Sequence, residues 1–390
     1  MRFTIDKTVY SGALDKVKRA VSKSDDDETL KFIYHEATAK GLRLLATDGN
    51  IQVEYNVPVG EYLTITEEGK SCPHGQKLSD LIKGFPNVNV EVYNETAAEG
   101  ADTEMEKFHL CAMKTEKRKV SHWVPCGNKA RFPLNDFKLS ADKKTYLIDV
   151  EQFGTCLKRT QAATSKNLER PFLAHVCIDI GSNEIAACGS DGQRIYYYVS
   201  KGQTLSEQQG RFIVYSANIK EFLPLFDDVN QLEIIDDKKI LVIKQSQLKF
   251  SCRQMDAVEY PDWRNKTNFD GTVRASVNRE ELTNAIKNIL NITDFACTLV
   301  FDKQEERVEV LVQPISGQAI SGGSDEQVPA VVDADITLGV NPRYLLDALN
   351  GSKAEMVTFV MKDNVSPFQL LLGDGFECII TTMMLDKLNQ

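Results

Sequence analysis

Apolar positions along the chain alternate between two spacings, and the alternation recurs. Three stretches carry apolar residues at the three-to-four-residue interval of a helix with one buried face: Tyr10, Leu14, Val17 and Val21; Val150, Phe153 and Leu157; and Leu282, Ile286, Ile289 and Leu290. A shorter helical pattern follows each, over residues 76–85 (QKLSDLIKGF), 217–226 (ANIKEFLPLF) and 341–350 (NPRYLLDALN). The first patterns start near Val9, Val150 and Val277, separated by 141 and 127 residues, and the second patterns are separated by 141 and 124. Two markers that keep nearly the same spacing predict a threefold internal repeat.

Between the helical patterns the spacing drops to two, the period of a strand with one buried face. Residues 42–59 read as strand, turn, strand around Thr47-Asp48-Gly49-Asn50, and residues 184–199 repeat this around Ser190-Asp191-Gly192-Gln193. The Asp-Gly pair supplies the positive φ of such a turn. The third repeat has no equivalent turn; residues 315–328 are Gly/Ser-rich and read as a mobile loop. Phe132-Pro133 and Tyr260-Pro261 close the first two repeats, and residues 135–145 and 264–273 read as linkers. The expected fold is α+β: three repeated domains over 1–138, 139–268 and 269–390, each with two helices against antiparallel sheet. Similar domains in a row favour pseudo-symmetric closure into a ring.

Charge sharpens this picture. The chain carries a formal net charge of −10, yet the six helical segments sum to +6, leaving −16 elsewhere. Of their cations, Lys16, Lys18, Arg19, Lys23, Lys83, Lys158, Arg159, Lys166 and Lys287 are the ones expected to face DNA. That segregation suits a ring whose helices line a DNA-filled hole and whose exterior is acidic, attracting phosphates without reading bases. Lys and Arg on the solvated faces of ordinary amphipathic helices give the same count, so charge alone leaves both readings open.

Other chemistry is sparse. Nine cysteines without C-x-x-C spacing predict reduced thiols in a core. Cys72, His74, His109, Cys111, His122 and Cys126 gather soft ligand types in the first repeat without any standard finger spacing; a metal site and plain packing both fit, and no cofactor is expected. No phosphate-binding loop, nucleophile elbow, H-E-x-x-H or dinucleotide fingerprint occurs, and none of the five histidines has an evident catalytic partner. No apolar run approaches the roughly 20 residues of a membrane span, and the opening MRFTIDK alternates like a strand, so a cytoplasmic protein is expected.

The segments MRFTIDK, LLATDGNIQVEYNVPV, LERPFLAHVCIDI followed by GSDGQRI, YPDWR, NPRYLLDALN and ECIITTMML, in that order, resemble the bacterial DNA polymerase III beta subunit, the beta sliding clamp family, from Met1 to Leu385. The resemblance implies a head-to-tail homodimer of three-domain subunits, closed around duplex DNA as a ring. It implies a clamp loader that places the ring, and a replicative polymerase catalytic subunit made processive by it. It also implies a cleft between the second and third domains that takes a short partner peptide. Carried over by residue, the cleft comprises Arg170, Leu173, Ser190, Gly192, Ile195, Tyr260 and Pro261 from one side, and Tyr344, Val365, Pro367, Ile379, Thr381 and Met383 from the other. Small Ser190 and Gly192 leave room, while Leu173, Ile195, Pro261, Val365 and Ile379 offer apolar anchorage.

For the dimer joint the resemblance points to Phe108 and Leu110 on an edge strand meeting Ile289 and Ile292 of the partner. The chain departs from the family in three places. Thr381, Thr382 and Met384 replace a Met, a Pro and an Arg; Asp386 to Gln390 extend past the usual final Leu; and Ser24 to Glu28 (SDDDE) is acidic where the family is basic or neutral. These departures leave room for a divergent or mobile-element clamp acting mainly as a protein-binding scaffold.

Overall fold

Seven α-helices occur among the described residues: α1 (Lys7–Val17), α2 (Gly75–Lys83), α3 (Val150–Thr160), α4 (Ser216–Phe222), α5 (Trp263–Lys266), α6 (Arg279–Leu290) and α7 (Pro342–Asn350). They come from a computed structural model that describes residues 1–95, 106–115, 118–167, 169–202, 205–226, 229–255, 260–292, 295–312 and 324–384. The three long helices start by one device: a strand ends on Asp or Asn, whose side chain accepts from the first free helix amides. Asp6 Oδ1 takes the Thr8 and Val9 amides at 2.8 and 3.0 Å, Asp149 Oδ1 takes that of Gln152 at 2.9 Å, and Asn278 Oδ1 takes those of Glu280 and Glu281 at 2.9 and 3.1 Å. Each cap is worth about 1 kcal/mol.

The repeated turn is reproduced in the same detail. Asp48 Oδ1 accepts from the Asn50 and Ile51 amides, and Asp191 Oδ1 from those of Gln193 and Arg194. Thr47 and Ser190 hydroxyls each donate four residues onward, to the Ile51 and Arg194 carbonyls, at 2.7 and 2.8 Å. Gly49 and Gly192 take φ of 88° and 91°, which their missing Cβ permits.

The chain divides into two units, Met1–Leu147 with Lys220–Gln254, and Ile148–Ile219 with Met255–Gln390. In the first, a five-stranded sheet runs in the order Leu63–Glu67, Arg2–Asp6, Asn89–Glu95, Lys107–Thr115, Arg118–Pro125. An eight-stranded sheet runs Lys144–Asp149, Gln231–Asp236, Ile240–Gln245, Leu248–Arg253, Ile51–Pro58, Gly41–Thr47, Tyr34–Thr38, Gly69–Ser71. α1 buries Tyr10, Ala13, Leu14 and Val17, and Phe3 meets the Tyr10 ring edge-on. Inside this core His35 is fully buried, with Nδ1 2.9 Å from the Ile33 carbonyl and Nε2 2.9 Å from the Tyr10 hydroxyl. A carbonyl can only accept, so Nδ1 carries the proton and Tyr10 donates to Nε2. Burial pushes the imidazole down to about 4 against the help of the Ile33 carbonyl.

The second unit holds one twelve-stranded sheet. Its first half runs Gly210–Tyr215, His175–Ile180, Glu184–Ser190, Arg194–Lys201, Phe376–Ile380, Phe368–Leu371, and its second half Met356–Met361, Val273–Asn278, Ser324–Val332, Arg307–Val312, Cys297–Asp302, Ile336–Val340. α3 buries Phe153 and Leu157, and α6 buries Leu282, Ile286 and Ile289, while Leu290 stays half-buried. Fully burying such a side chain is worth about 1.5–3 kcal/mol.

Two stretches read as irregular carry structure. The segment after Tyr260-Pro261 opens as α5, because Trp263 donates its indole N–H to Asp179 at 3.1 Å and Arg264 pairs with Asp179 and Glu184. Residues 324–328 belong to strand Ser324–Val332, alternating half-buried and exposed before Val328 turns inward; the rest of the Gly/Ser-rich stretch, from 315 to 323, lies outside the described residues. In the other linker Phe137 packs against Ile235, Ile240 and Val242.

Candidate functional site

Several of the residues expected to line a peptide cleft lie near one another in the second unit, where some form a buried floor and others are exposed. Strands Arg194–Lys201 and Phe376–Ile380 place Ile195 opposite Ile379, and Ser190 lies opposite Ile195 on the next strand. Tyr260 and Ile379 belong to a buried cluster with Cys177, Cys188, Tyr197, Ile213 and Trp263, with Ile195 and Phe172 packed against it. The Tyr260 hydroxyl donates to the Cys188 carbonyl at 3.1 Å, and burial raises its pKa well above the usual value. Leu173 is buried, and its Cδ1 lies 3.8 Å from where a Cβ on Gly192 would stand.

Arg170, Gly192, Pro261 and Pro367 are exposed, and Val365 is 63% exposed. Ser190, Tyr344, Thr381 and Met383 are half-buried. Residues 381–383 tie the rim together. The Thr381 amide donates to the Gln193 carbonyl at 3.0 Å, Thr382 Oγ1 to the Val365 carbonyl at 2.6 Å, and the Met383 amide to the Gly339 carbonyl at 2.8 Å. An apolar floor with a rim of backbone and small polar groups can hold an extended peptide with aliphatic anchors.

Arg194 was not among the expected site residues, yet it organises this region. Its guanidinium pairs with Asp191 at 2.9 Å and Asp347 at 2.8 Å, donates to the Tyr196 hydroxyl and the Ala162 carbonyl, and lies 4.2 Å from the Tyr344 ring centroid. One buried cation thereby fixes both the Ser190–Gly192 turn and the Tyr344 end of α7. Its place directly after the Asp-Gly turn is visible in the sequence; its burial is not.

The cationic residues divide into three groups. Arg19, Lys23, Lys158, Lys166 and Lys287 are exposed, and no ion pair engages them among the described residues. Lys18 pairs with Asp80 at 3.4 Å, Lys83 with Asp15 at 3.1 Å, and Lys16 lies 5.6 Å from the Tyr55 ring, so part of the charge on α1 and α2 is held locally. Arg159 departs from the expectation of a DNA-facing side chain. It is buried, lies 4.7 Å from the Tyr198 ring and 5.5 Å from that of Phe376, and pairs with Asp374 at 3.6 Å, because the helix turns it onto the sheet while Lys158 points out.

The edge-strand assignment also changes. Phe108 and Leu110 are fully buried on Lys107–Thr115, an interior strand flanked by Asn89–Glu95 and Arg118–Pro125. Their alternation points them into the core, where Phe108 meets the His35 ring at 5.0 Å. Among the described residues the edge strands of that sheet are Leu63–Glu67 and Arg118–Pro125, the latter with Trp123 half-exposed. Ile289 faces its own core and Ile292 is half-buried. In the second unit, residues 324–329 pair with Arg307–Val312 on one side and carry no strand on the other among the described residues.

The soft-ligand residues of the first unit do not converge as one set, although Cys72 and Cys126 lie on bridged segments near one another. Cys111 Sγ lies 3.1 Å from Ser121 Oγ, Cys126 Sγ 3.3 Å from Ser71 Oγ, and His109 pairs with Glu95 at 2.8 Å. His74 caps α2 and His122 packs against Phe85. Burial pushes the Cys126 thiol up to about 11, and that of Cys72 higher still. Among the described residues no three His, Cys, Asp or Glu side chains are placed to hold a metal ion. Nor is any described helix long and apolar enough to cross a membrane.

Known proteins resemble this chain closely in shape and distantly in sequence. Residues 1–118 match the family described as DNA polymerase III beta subunit, N-terminal domain. The beta sliding clamp of Streptococcus pneumoniae is 22% identical over 391 aligned residues, covering 97% of both chains, and that of Chlamydia muridarum is 21% identical over 94% of each. Among solved structures, the DNA polymerase beta subunit of Streptococcus pyogenes superposes with a TM-score of 0.84 at 21% identity, covering 98% of this chain and all of that one. The DNA polymerase III beta subunit of Pseudomonas aeruginosa gives 0.85 at 18% identity, covering 99% of this chain and all of that one. The chain thus has the fold of the solved beta-subunit structures over nearly its whole length, and its first 118 residues match the family described as DNA polymerase III beta subunit, N-terminal domain.

Proposed function

We propose that this chain is a DNA sliding clamp. In this reading it closes as a homodimeric ring around duplex DNA, slides without reading sequence, and makes a replicative polymerase processive by holding short peptides of polymerase and clamp loader in the cleft. It performs no chemistry itself. The likeness to beta sliding clamps over 97% of both chains carries the proposal. The strand, Asx cap, helix and Asp-Gly turn repeated along the chain support a division into three domains, 1–138, 139–268 and 269–390. The free strand edges at Arg118–Pro125 and 324–329 suit a head-to-tail joint between subunits, taking the place of Phe108 and Leu110.

The test is retention on circular and linear DNA after loading, together with the mass in solution. A clamp stays on closed circles, runs off linear duplex, and has twice the chain mass. Equal retention on both would defeat topological enclosure. A second reading, a ring-shaped scaffold without a DNA role, draws on the Lys18–Asp80 and Lys83–Asp15 pairs and the acidic Asp25, Asp26, Asp27 and Glu28. Reversing Lys23, Lys158, Lys166 and Lys287 separates the two: loading falls for a clamp and is unaltered for a scaffold.

A further inference from the structure

We infer that the floor of the cleft contains an anionic subsite that selects a partner peptide carrying a lysine or arginine beside its aliphatic anchor; this rests on the reading of the cleft as a peptide site. Ile195 and Tyr197 project from one face of strand Arg194–Lys201, and their direct partners on Phe376–Ile380 are Ile379 and Glu377. Gln369 lies opposite Ile379 on the following strand, which places it on the same face. The apolar pair is therefore continuous with a polar triad of Tyr197, Glu377 and Gln369.

The triad leaves one acceptor open. Tyr197 donates its hydroxyl hydrogen to Glu377 Oε2, and Gln369 Nε2 donates to the same oxygen at 2.7 Å and reaches the Tyr197 oxygen at 2.8 Å. Glu377 Oε1 accepts no hydrogen bond among the described residues, and no Lys, Arg or His there lies within ion-pair distance of this half-buried carboxylate. Two donors hold it in one orientation, so a ligand cation meets a preorganised acceptor. An isolated carboxylate withdrawn in part from water gains more from a cationic partner than an exposed one does.

Position fixes what would fit. Ile379 and Glu377 are two residues apart on one strand, roughly 6.5–7 Å. An aliphatic side chain seated on Ile195 and Ile379 leaves a long cationic side chain one or two peptide positions away within reach of Oε1. A neutral or acidic residue there would leave the oxygen unpaired or repel it.

The test uses the full chain and fluorescent eight-residue peptides with a central Leu-Leu pair, one Lys being moved through the other positions, against the same series with Gln. Binding is read by anisotropy at low and moderate salt. Lys at one or two positions is expected to bind roughly ten- to a hundredfold more tightly than Gln, as for a hydrogen bond to a charged group. Glu377→Gln should abolish that preference, so that Lys and Gln peptides bind the variant alike, with the melting temperature within a few degrees. If Lys and Gln peptides bind alike at every position, and Ile379→Asp weakens all of them, the peptide cleft stands and the anionic subsite is overturned. If no peptide binds the native chain, the cleft reading falls and takes the subsite with it.

Discussion

The Arg194 guanidinium donates to the Asp347 carboxylate at 2.8 Å across 153 residues of sequence, joining the strand after the Asp-Gly turn to α7. Arg194 is 9% exposed at its side chain and Asp347 42%, so one partner is buried and the other meets water. Removing the buried one leaves Asp191 and Asp347 facing each other without a cation. Arg194→Ala is expected to destabilise the second unit by about 3 kcal/mol. Urea unfolding followed through buried Trp263 measures this, while Trp123 reports on the first unit. A shift below about 1 kcal/mol would remove Arg194 as an organising residue.

His35 gives the first unit a pH dependence whose sign is fixed by its burial. Its folded pKa of about 4 lies below the unfolded value of about 6.5, so the unfolded chain takes up the proton first. The stabilisation is complete above about pH 6.5, declines as pH falls through this window, and is spent near pH 4, amounting to about 3 kcal/mol in all. Protonated Nε2 would face the Tyr10 hydroxyl with two hydrogens and one acceptor between them. Melting temperatures of the native chain and His35→Gln, measured from pH 7 to 4.5, should converge as pH falls. Parallel curves would contradict the assignment.

Lys158 and Arg159 are neighbours with opposite surroundings, and their variants should separate accordingly. Lys158→Glu reverses an exposed charge and is expected to weaken loading on DNA at low salt with little change in melting temperature. Arg159→Gln removes a cation packed against Tyr198 and Phe376 and paired with Asp374, and should lower stability by about 1–2 kcal/mol. Calorimetry and a circular-DNA retention assay on both variants check the pair. A loading defect in Arg159→Gln at native stability would return that residue to the DNA-facing group.

Gly375 sits at φ 73°, and a Cβ there would come within 2.1 Å of the Val199 carbonyl oxygen. Its own carbonyl accepts the Val199 amide at 2.9 Å, so the turn cannot withdraw without breaking a bond to the neighbouring strand. Gly375→Ala should cost at least about 2 kcal/mol. Gly192→Ala at φ 91° has only Leu173 at 3.8 Å and should cost less, which comparative chemical denaturation of the two would show.

The helices and Asp-Gly turns were legible because each depends on neighbours in sequence: apolar spacing, an Asx cap, a positive φ. The proposed cleft is a set of residues that only the family resemblance could name. Composition could not have joined Ile195 to Ile379, whose pairing is set by strand order. The fates of Arg159 and Phe108 were hidden for the same reason. A cation at the end of an amphipathic helix and an apolar residue on an alternating strand have the same local signature whether they face solvent, a partner or their own core. Arg194 and the Tyr197–Glu377 contact stayed out of reach because both need side chains more than 150 residues apart.

The strand Phe376–Ile380 is interior to the twelve-stranded sheet, hydrogen-bonded to Arg194–Lys201 on one side and Phe368–Leu371 on the other. Tyr197 must therefore wait for Glu377, 180 positions later, before its strand has both neighbours. During synthesis, residues 148–219 emerge with a long unpaired β-edge that cannot be satisfied for many seconds at ordinary elongation rates, a hazard for intermolecular association. High contact order makes this seam a slow step once the chain is whole, and the pairing of Ile51–Pro58 with Leu248–Arg253 gives the first unit a delayed seam of the same kind.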